Sequence, residues 1–324
     1  MATLGESGRA EREVTNPNEF LAAIQQNVSQ LEKSIQKGHM IDREFDRILL
    51  SDINALHEHC SQEKSEFKHL VGQLDKLREK VLTCRKEQLS SEESTPLIGK
   101  LVDPTTLPVE EGYEVGRQKI AQEYVVRRIR PDGHCMFRSY VTGLLGGGYP
   151  HDVLAGCLRT LKDQGKISGS DLGALLASLH EITNQESLEH ELSNPQVSDK
   201  WVEVCRNLAA QKISEKFASA FPQDQHKMAD SMRWFMPGLE KLDDAKVVKA
   251  YCKSISKMEN PVFGGELELG CLDEIFGTTS CELNVQLLSV TQEEFPKPVA
   301  NPKAIYLVQR GGDHIDVAFP KHRP

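Results

Sequence analysis

No two of the eight cysteines fall in a CxxC pair, which removes the zinc-finger and thioredoxin readings. HExxH is also missing, and no His, Cys, Asp or Glu set shows a recognised ligand spacing, so neither a metal nor a cofactor is called for. No stretch approaches the roughly 18 apolar residues of a membrane span. The first residues lack the basic-then-apolar pattern of an export signal. Basic charge is short as well: 39 Lys and Arg against 48 Asp and Glu leave a formal net charge of −9. That balance argues against a nucleic-acid binder, which would show a basic face. Scattered cysteines without an export signal point to free thiols in a reducing compartment. The expected location is cytoplasmic, or the host cytosol for a protein delivered by a bacterium. No internal repeat is visible.

What is present divides along the chain. At 324 residues there is room for two domains, or for one domain with an appendage. Residues 1–16 are small, polar and charged, the composition of a disordered tail. From residue 17 to about 85 the pattern is helical. Phe20, Ile24, Val28, Leu31 and Ile35 recur every three or four residues, and Gly38 punctuates the run. A second run, Leu49, Ile53, Leu56, Cys60, Glu63, Phe67, Leu70, Leu74, Leu77 and Val81, steps by four and three in alternation, a heptad seam with one polar member. These runs predict an antiparallel helical hairpin, with a self-associating coiled coil as the competing arrangement. Residues 17–85 are therefore the candidate contact for a protein partner. The proline- and serine-bearing stretch 86–112 reads as a linker. From 113 to 324 helix and strand patterns mix, with strands predicted at Tyr124–Ile129, Leu283–Leu288, Ala304–Val308 and His314–Phe319. A helical middle, about 148–257, between segments that build a small sheet makes this an α+β domain.

The densest chemistry lies at Arg130-Pro131-Asp132-Gly133-His134-Cys135-Met136-Phe137-Arg138. A strand ends in a Pro-Asp-Gly turn, and a helical pattern starts at Cys135. A cysteine in the first helical turn sits where unpaired N–H groups and the helix dipole favour negative charge. Such a setting can bring a thiol from about 8.5 toward neutrality, and the thiolate is the reactive form. Backbone N–H groups of Gly133, His134 and Cys135 could also hold the oxyanion of a tetrahedral intermediate. Most free cysteines are inert buried thiols; the turn chemistry separates Cys135 from the other seven.

A thiol nucleophile needs a base, and the base needs an orienting group. In the last strand pattern Ile315, Val317 and Phe319 alternate, so His314 and Asp316 share the opposite face. Their Cα atoms are then about 6.6 Å apart, close enough for a carboxylate to fix the imidazole tautomer. Alone, such a pair is what any solvent-facing strand edge carries.

Three blocks together resemble a known family. Asp132-Gly133-His134-Cys135-Met136-Phe137-Arg138 resembles the cysteine box, D-G-x-C-hydrophobic-aromatic-[RK], of ovarian-tumour (OTU) type deubiquitinases. Phe263-Gly264-Gly265-Glu266-Leu267-Glu268-Leu269 is similar to the family's W-G-G-x-x-E-L block, with phenylalanine in place of tryptophan. Ala304–Val308 followed by His314-Ile315-Asp316 looks like the closing strand pair with its H-x-[DN] dyad, Ile315 replacing the usual aromatic residue.

The resemblance implies an OTU-like papain-type fold, a small central sheet flanked by helices, that hydrolyses isopeptide bonds after the terminal glycine of ubiquitin. It implies Cys135 as nucleophile, His314 as general base, Asp316 as its orienter and Asp132 as the residue shaping the cysteine loop. Gly264, Gly265 and Ile315 become candidates for the channel that takes the terminal glycines. Gly264 and Gly265 have an alternative, to cap the helix that Glu266 and Glu268 open. The expected partner is ubiquitin or a polyubiquitin chain. A protease for a ubiquitin-like modifier and an inactive ubiquitin-binding scaffold stay open as alternatives.

Overall fold

The computed structural model describes residues 17–36, 49–50, 52–54, 56–57, 60, 68–94, 96–106, 114–235, 242–258, 264–277, 284–289, 304–309 and 314–321. Contacts divide the chain into two units, Met1–Ser91 and Glu92–Pro324.

The first unit has its own core. Helix α1 (Pro17–Gln36) and helix α2 (Lys68–Ser94) flank helical residues between Leu49 and Cys60. Leu21, Ile24, Val28 and Leu31 pack with Leu49, Ile53, Leu56 and Cys60 and with Leu70, Leu74 and Val81. The expected two-helix hairpin is corrected here. A continuous helix over Leu49–Val81 would hold His57 and Asp75 about 27 Å apart. They meet at 3.3 Å, so the heptad seam folds back and packs three segments rather than two. A 4-3 step marks a buried stripe without saying which helix buries it.

Residues 86–112, expected as a linker, are corrected too. They carry the end of α2 and strand β1 (Ile98–Val102), an edge of the second unit's sheet. Leu97 and Ile98 are buried, and a register irregularity between Ile98 and Leu101 breaks the alternation that would have marked a strand.

That sheet has the order β1-β2-β5-β4-β3, with β2 at Tyr124–Ile129, β3 at Asn284–Ser289, β4 at Ala304–Gln309 and β5 at Ile315–Pro320. Neighbours are antiparallel except β3 and β4, which are parallel. Both faces are covered. Ile315, Val317 and Phe319 join Ile305, Leu307 and Ile129 under helix α4 (Cys135–Gly146), which contributes Phe137, Tyr140 and Leu144. On the other face Val126, Tyr306, Val308 and Ala318 pack with Ile120 of helix α3 (Glu114–Glu123). The helical middle supplies α5 (His151–Asp163), α6 (Gly169–Glu181), α7 (Gln185–Ser193), α8 (Pro195–Ser219), α9 (Pro222–Phe235) and α10 (Asp244–Ile255), and α11 (Glu266–Gly277) follows. Within it α8 is the buried spine, with Trp201, Val202, Cys205, Leu208, Ala209 and Ile213 all in the core.

Candidate active site

Strand β2 runs into the cysteine loop. Gly133 has φ of +80°, the left-handed region that glycine occupies without strain. Asp132 uses both carboxylate oxygens: Oδ1 accepts the His134 backbone N–H at 3.0 Å, and Oδ2 pairs with Arg138 Nη2 at 2.7 Å. Arg138, 1 % exposed, also donates to Ser198 Oγ at 2.5 Å and Asp199 Oδ1 at 3.1 Å on α8. Cys135 opens α4 and is 2 % exposed. Of the three amides expected to face an oxyanion, that of His134 is engaged by Asp132.

Asp316 lies on the central strand β5 and His314 immediately precedes that strand, and neither faces solvent; His314 is 4 % and Asp316 0 % exposed. Buried polar groups must find partners. Asp316 Oδ1 accepts from His314 Nε2 at 2.8 Å and from the backbone N–H of Ile129 at 2.7 Å. A carboxylate only accepts, so Nε2 carries the imidazole proton and Nδ1 is the basic nitrogen.

The register of α4 on β5 relates the two ends of the candidate site. Ser139 Oγ donates to the Ile315 carbonyl at 2.7 Å. A side chain at Gly143 would meet Val317 Cγ2 at 3.3 Å, and one at Gly146 would meet Phe319 Cε1 at 3.2 Å. Helix and strand therefore run in the same direction, about 5.4 Å per helical turn against about 6.6 Å per two strand residues. One turn back from Ser139 is Cys135; one step back from Ile315 is His314. Both sit at the same end of the α4–β5 pair.

The Gly-Gly block packs on the cysteine box. A Cβ at Gly264 would stand 1.9 Å from Met136 Cε and 2.9 Å from Phe137 Cε2, so only glycine lets this backbone approach. Gly265 N–H donates to Glu268 Oε2 at 2.7 Å, and Leu269 N–H to the Gly265 carbonyl at 3.1 Å, which makes Gly265 the N-cap of α11. Glu268 also accepts from Tyr251 Oη at 2.8 Å, and burial raises its carboxyl above the usual range. Ile315 is buried in the core under α4.

One part of the site was invisible to sequence reasoning. Arg206 on α8 is 0 % exposed; its Nε donates to the Ile255 carbonyl at 2.6 Å and its Nη1 to His134 Nδ1 at 3.4 Å. The guanidinium carbon lies 4.8 Å from the centroid of the Phe137 ring. His134 Nε2 completes the chain at 3.2 Å from the Met258 carbonyl. Burial pushes His134 down to about 4, with Arg206 and Arg138 assisting against Asp132. Burial also pushes Arg206 down to about 10, leaving it cationic at neutral pH. The one available signal was a lone arginine among Trp201, Val202, Val204, Cys205, Leu208 and Ala209.

All seven described cysteines are free. Among the described residues no group of three or more His, Cys, Asp or Glu is placed to hold a metal ion, and no helix is long and apolar enough to cross a membrane.

A five-stranded mixed sheet with α4 on one face, the cysteine loop between β2 and α4, and β5 at the centre define an OTU-like α+β fold. Among solved structures the chain is similar to one from a ceOTUB1–ubiquitin aldehyde–UBC13~Ub complex, at 18% identity and a TM-score of 0.51. That similarity covers 74% of this chain and 99% of the solved one. No family model and no curated protein matches the sequence.

Proposed function

We propose that the chain is a thiol-dependent deubiquitinase that hydrolyses the isopeptide bond after the terminal glycine of ubiquitin. The observation that carries this reading is the Ser139–Ile315 hydrogen bond, which sets the helix opened by Cys135 against the residue between His314 and Asp316. An OTU-like fold similar to that of a chain solved in a ubiquitin aldehyde complex supports the same reading.

In this mechanism His314 Nδ1 takes the Cys135 proton while Asp316 holds Nε2–H and stabilises the imidazolium. The thiolate sulfur adds to the glycine carbonyl carbon, and loop backbone N–H groups receive the oxyanion. Collapse breaks the C–N bond, and the imidazolium proton leaves with the lysine amine. Water, activated by His314, then hydrolyses the thioester and restores the thiol. A nucleophile 2 % exposed is reached by a thin extended tail better than by a bulky one, which fits a Gly-Gly terminus.

Asp132 acts one step removed, by fixing the loop through His134 N–H and Arg138. Gly264 and Gly265 serve by close approach to the cysteine box and by capping α11.

A full diubiquitin linkage panel, run beside ubiquitin-like modifiers, tests this. Cleavage of ubiquitin chains that disappears in Cys135→Ala and His314→Ala is expected. No cleavage by the unmodified chain, or cleavage that survives Cys135→Ala, rejects the mechanism.

A further inference from the structure

We propose that Arg206 is a positioning residue for the cysteine loop: from α8 it holds the His134 ring in one tautomer and one orientation, and the ring holds the Gly133–Cys135 backbone in the conformation that receives the oxyanion. This rests on the hydrolase reading above and names a residue that the sequence motifs do not contain.

The hydrogen bonds fix their own direction. A guanidinium only donates, so His134 Nδ1 must be bare; a carbonyl only accepts, so Nε2 must carry the proton for Met258. The two demands agree on one neutral tautomer. Arg206 cannot drift, because Nε is tied to the Ile255 carbonyl and the guanidinium lies against the Phe137 ring, two residues beyond Cys135. His134 is thus anchored by its backbone N–H to Asp132 and by both ring nitrogens to other elements.

The need for an anchor follows from Gly133. A glycine at φ +80° has no side chain to hold the peptide planes on either side of it. Without the ring as a peg, the loop can turn the Gly133 and Cys135 N–H groups from the developing oxyanion, while that of His134 stays with Asp132. The charged groups facing the ring are Asp132 from the loop, Arg138 from α4, and Asp199 and Arg206 from α8. A lysine at 206 would supply charge without the planar fork that grips Nδ1 and the Ile255 carbonyl together.

The test uses the full chain, a ubiquitin substrate with a fluorogenic C-terminal amide, and ubiquitin C-terminal aldehyde as inhibitor. Cysteine adds to the aldehyde carbon to give a thiohemiacetal with no leaving group, so its affinity reports the oxyanion site directly. Arg206→Met and His134→Leu should each lower kcat by about ten- to a hundredfold, the order of a lost oxyanion contact. KM should barely move, and aldehyde affinity should fall by the same factor as kcat. His134→Gln can still accept from Arg206 and donate to Met258, and should recover most of the loss; Arg206→Lys should not. Thermal unfolding checks each variant, and if Arg206→Met does not fold, the two His134 variants decide. The proposal is overturned if folded variants keep wild-type kcat and aldehyde affinity, if only KM changes, or if His134→Gln is as impaired as His134→Leu. A wild-type chain inert to both ubiquitin probes rejects the hydrolase reading itself, whereas an active wild type with indifferent variants rejects only the role of Arg206.

Discussion

Asp316 accepts the backbone N–H of Ile129 at 2.7 Å through the same oxygen that holds His314. Ile129 is the last residue of β2, and the cysteine loop starts at the next position. One buried carboxylate therefore orients the candidate base and pins the root of the loop that carries the candidate nucleophile.

Replacing it separates the two tasks. Asp316→Asn keeps an Oδ1 that can accept both N–H groups and loses only the charge that stabilises the imidazolium, so turnover should fall by about tenfold, with KM little changed. Asp316→Ala removes the orienting oxygen and should lower turnover by about 10²- to 10⁴-fold. It also orphans the Ile129 amide and should cost about 3 kcal/mol of stability. Steady-state kinetics and denaturant titration of both variants give the answer; normal turnover in Asp316→Ala would remove Asp316 from the mechanism.

The close approach of Gly264 makes a second prediction. Its added methyl would collide with Met136 Cε and the Phe137 ring, so Gly264→Ala should destabilise by about 1–3 kcal/mol. Shortening the nearer neighbour relieves part of this, so Gly264→Ala with Met136→Ala should be less than additive by about 1 kcal/mol. Equilibrium unfolding of the double-mutant cycle measures the coupling. Strict additivity would mean that the two blocks do not touch.

Acid stability tests the state of His134. The ring is held down to about 4 in the folded chain and protonates near 6.5 when unfolded. Between those values the unfolded chain binds more protons, so stability is full above about pH 6.5 and is lost as pH falls toward about 4. The loss should reach about 3 kcal/mol. Glu268 and Asp273, both raised by burial, act in the opposite sense, so the measurement is the difference between wild type and His134→Gln. That difference should shift against wild type on acidification. A flat difference would show that the ring is not held neutral.

The sequence announced those elements whose own residues carry a period, and hid those built from distant contacts. Strands β2 and β5 and helix α4 were legible because Tyr124–Ile129 is rich in strand formers, Ile315, Val317 and Phe319 alternate, and Cys135 follows a Pro-Asp-Gly turn. Helix α3 carries no such stripe, since Ile120 and Ala121 are its buried hydrophobics, and within the helical middle α7 buries only Leu188 and Leu192. Cys135, His314 and Asp316 were proposed from residue type and local turn, and Asp132 from the resemblance. Arg206 was not, since its role depends on α8 passing behind the loop, which no local pattern records.

The same limit governs the heptad seam of the first unit. Leu56, Leu74 and Val81 are 0 % exposed and Ile24 is 1 % exposed within a single chain, so the stripe is already covered by its own three segments. An intermolecular coiled coil would need that stripe for a second copy, and its stability would then rise with chain concentration. Hydrogen exchange of the α1 and α2 amides should instead be independent of concentration. Leu74→Ala should lower their opening free energy by about 2–5 kcal/mol, the cost of a leucine-sized cavity. Protection that grows with concentration, or a Leu74→Ala chain protected like wild type, would return the seam to a role between molecules.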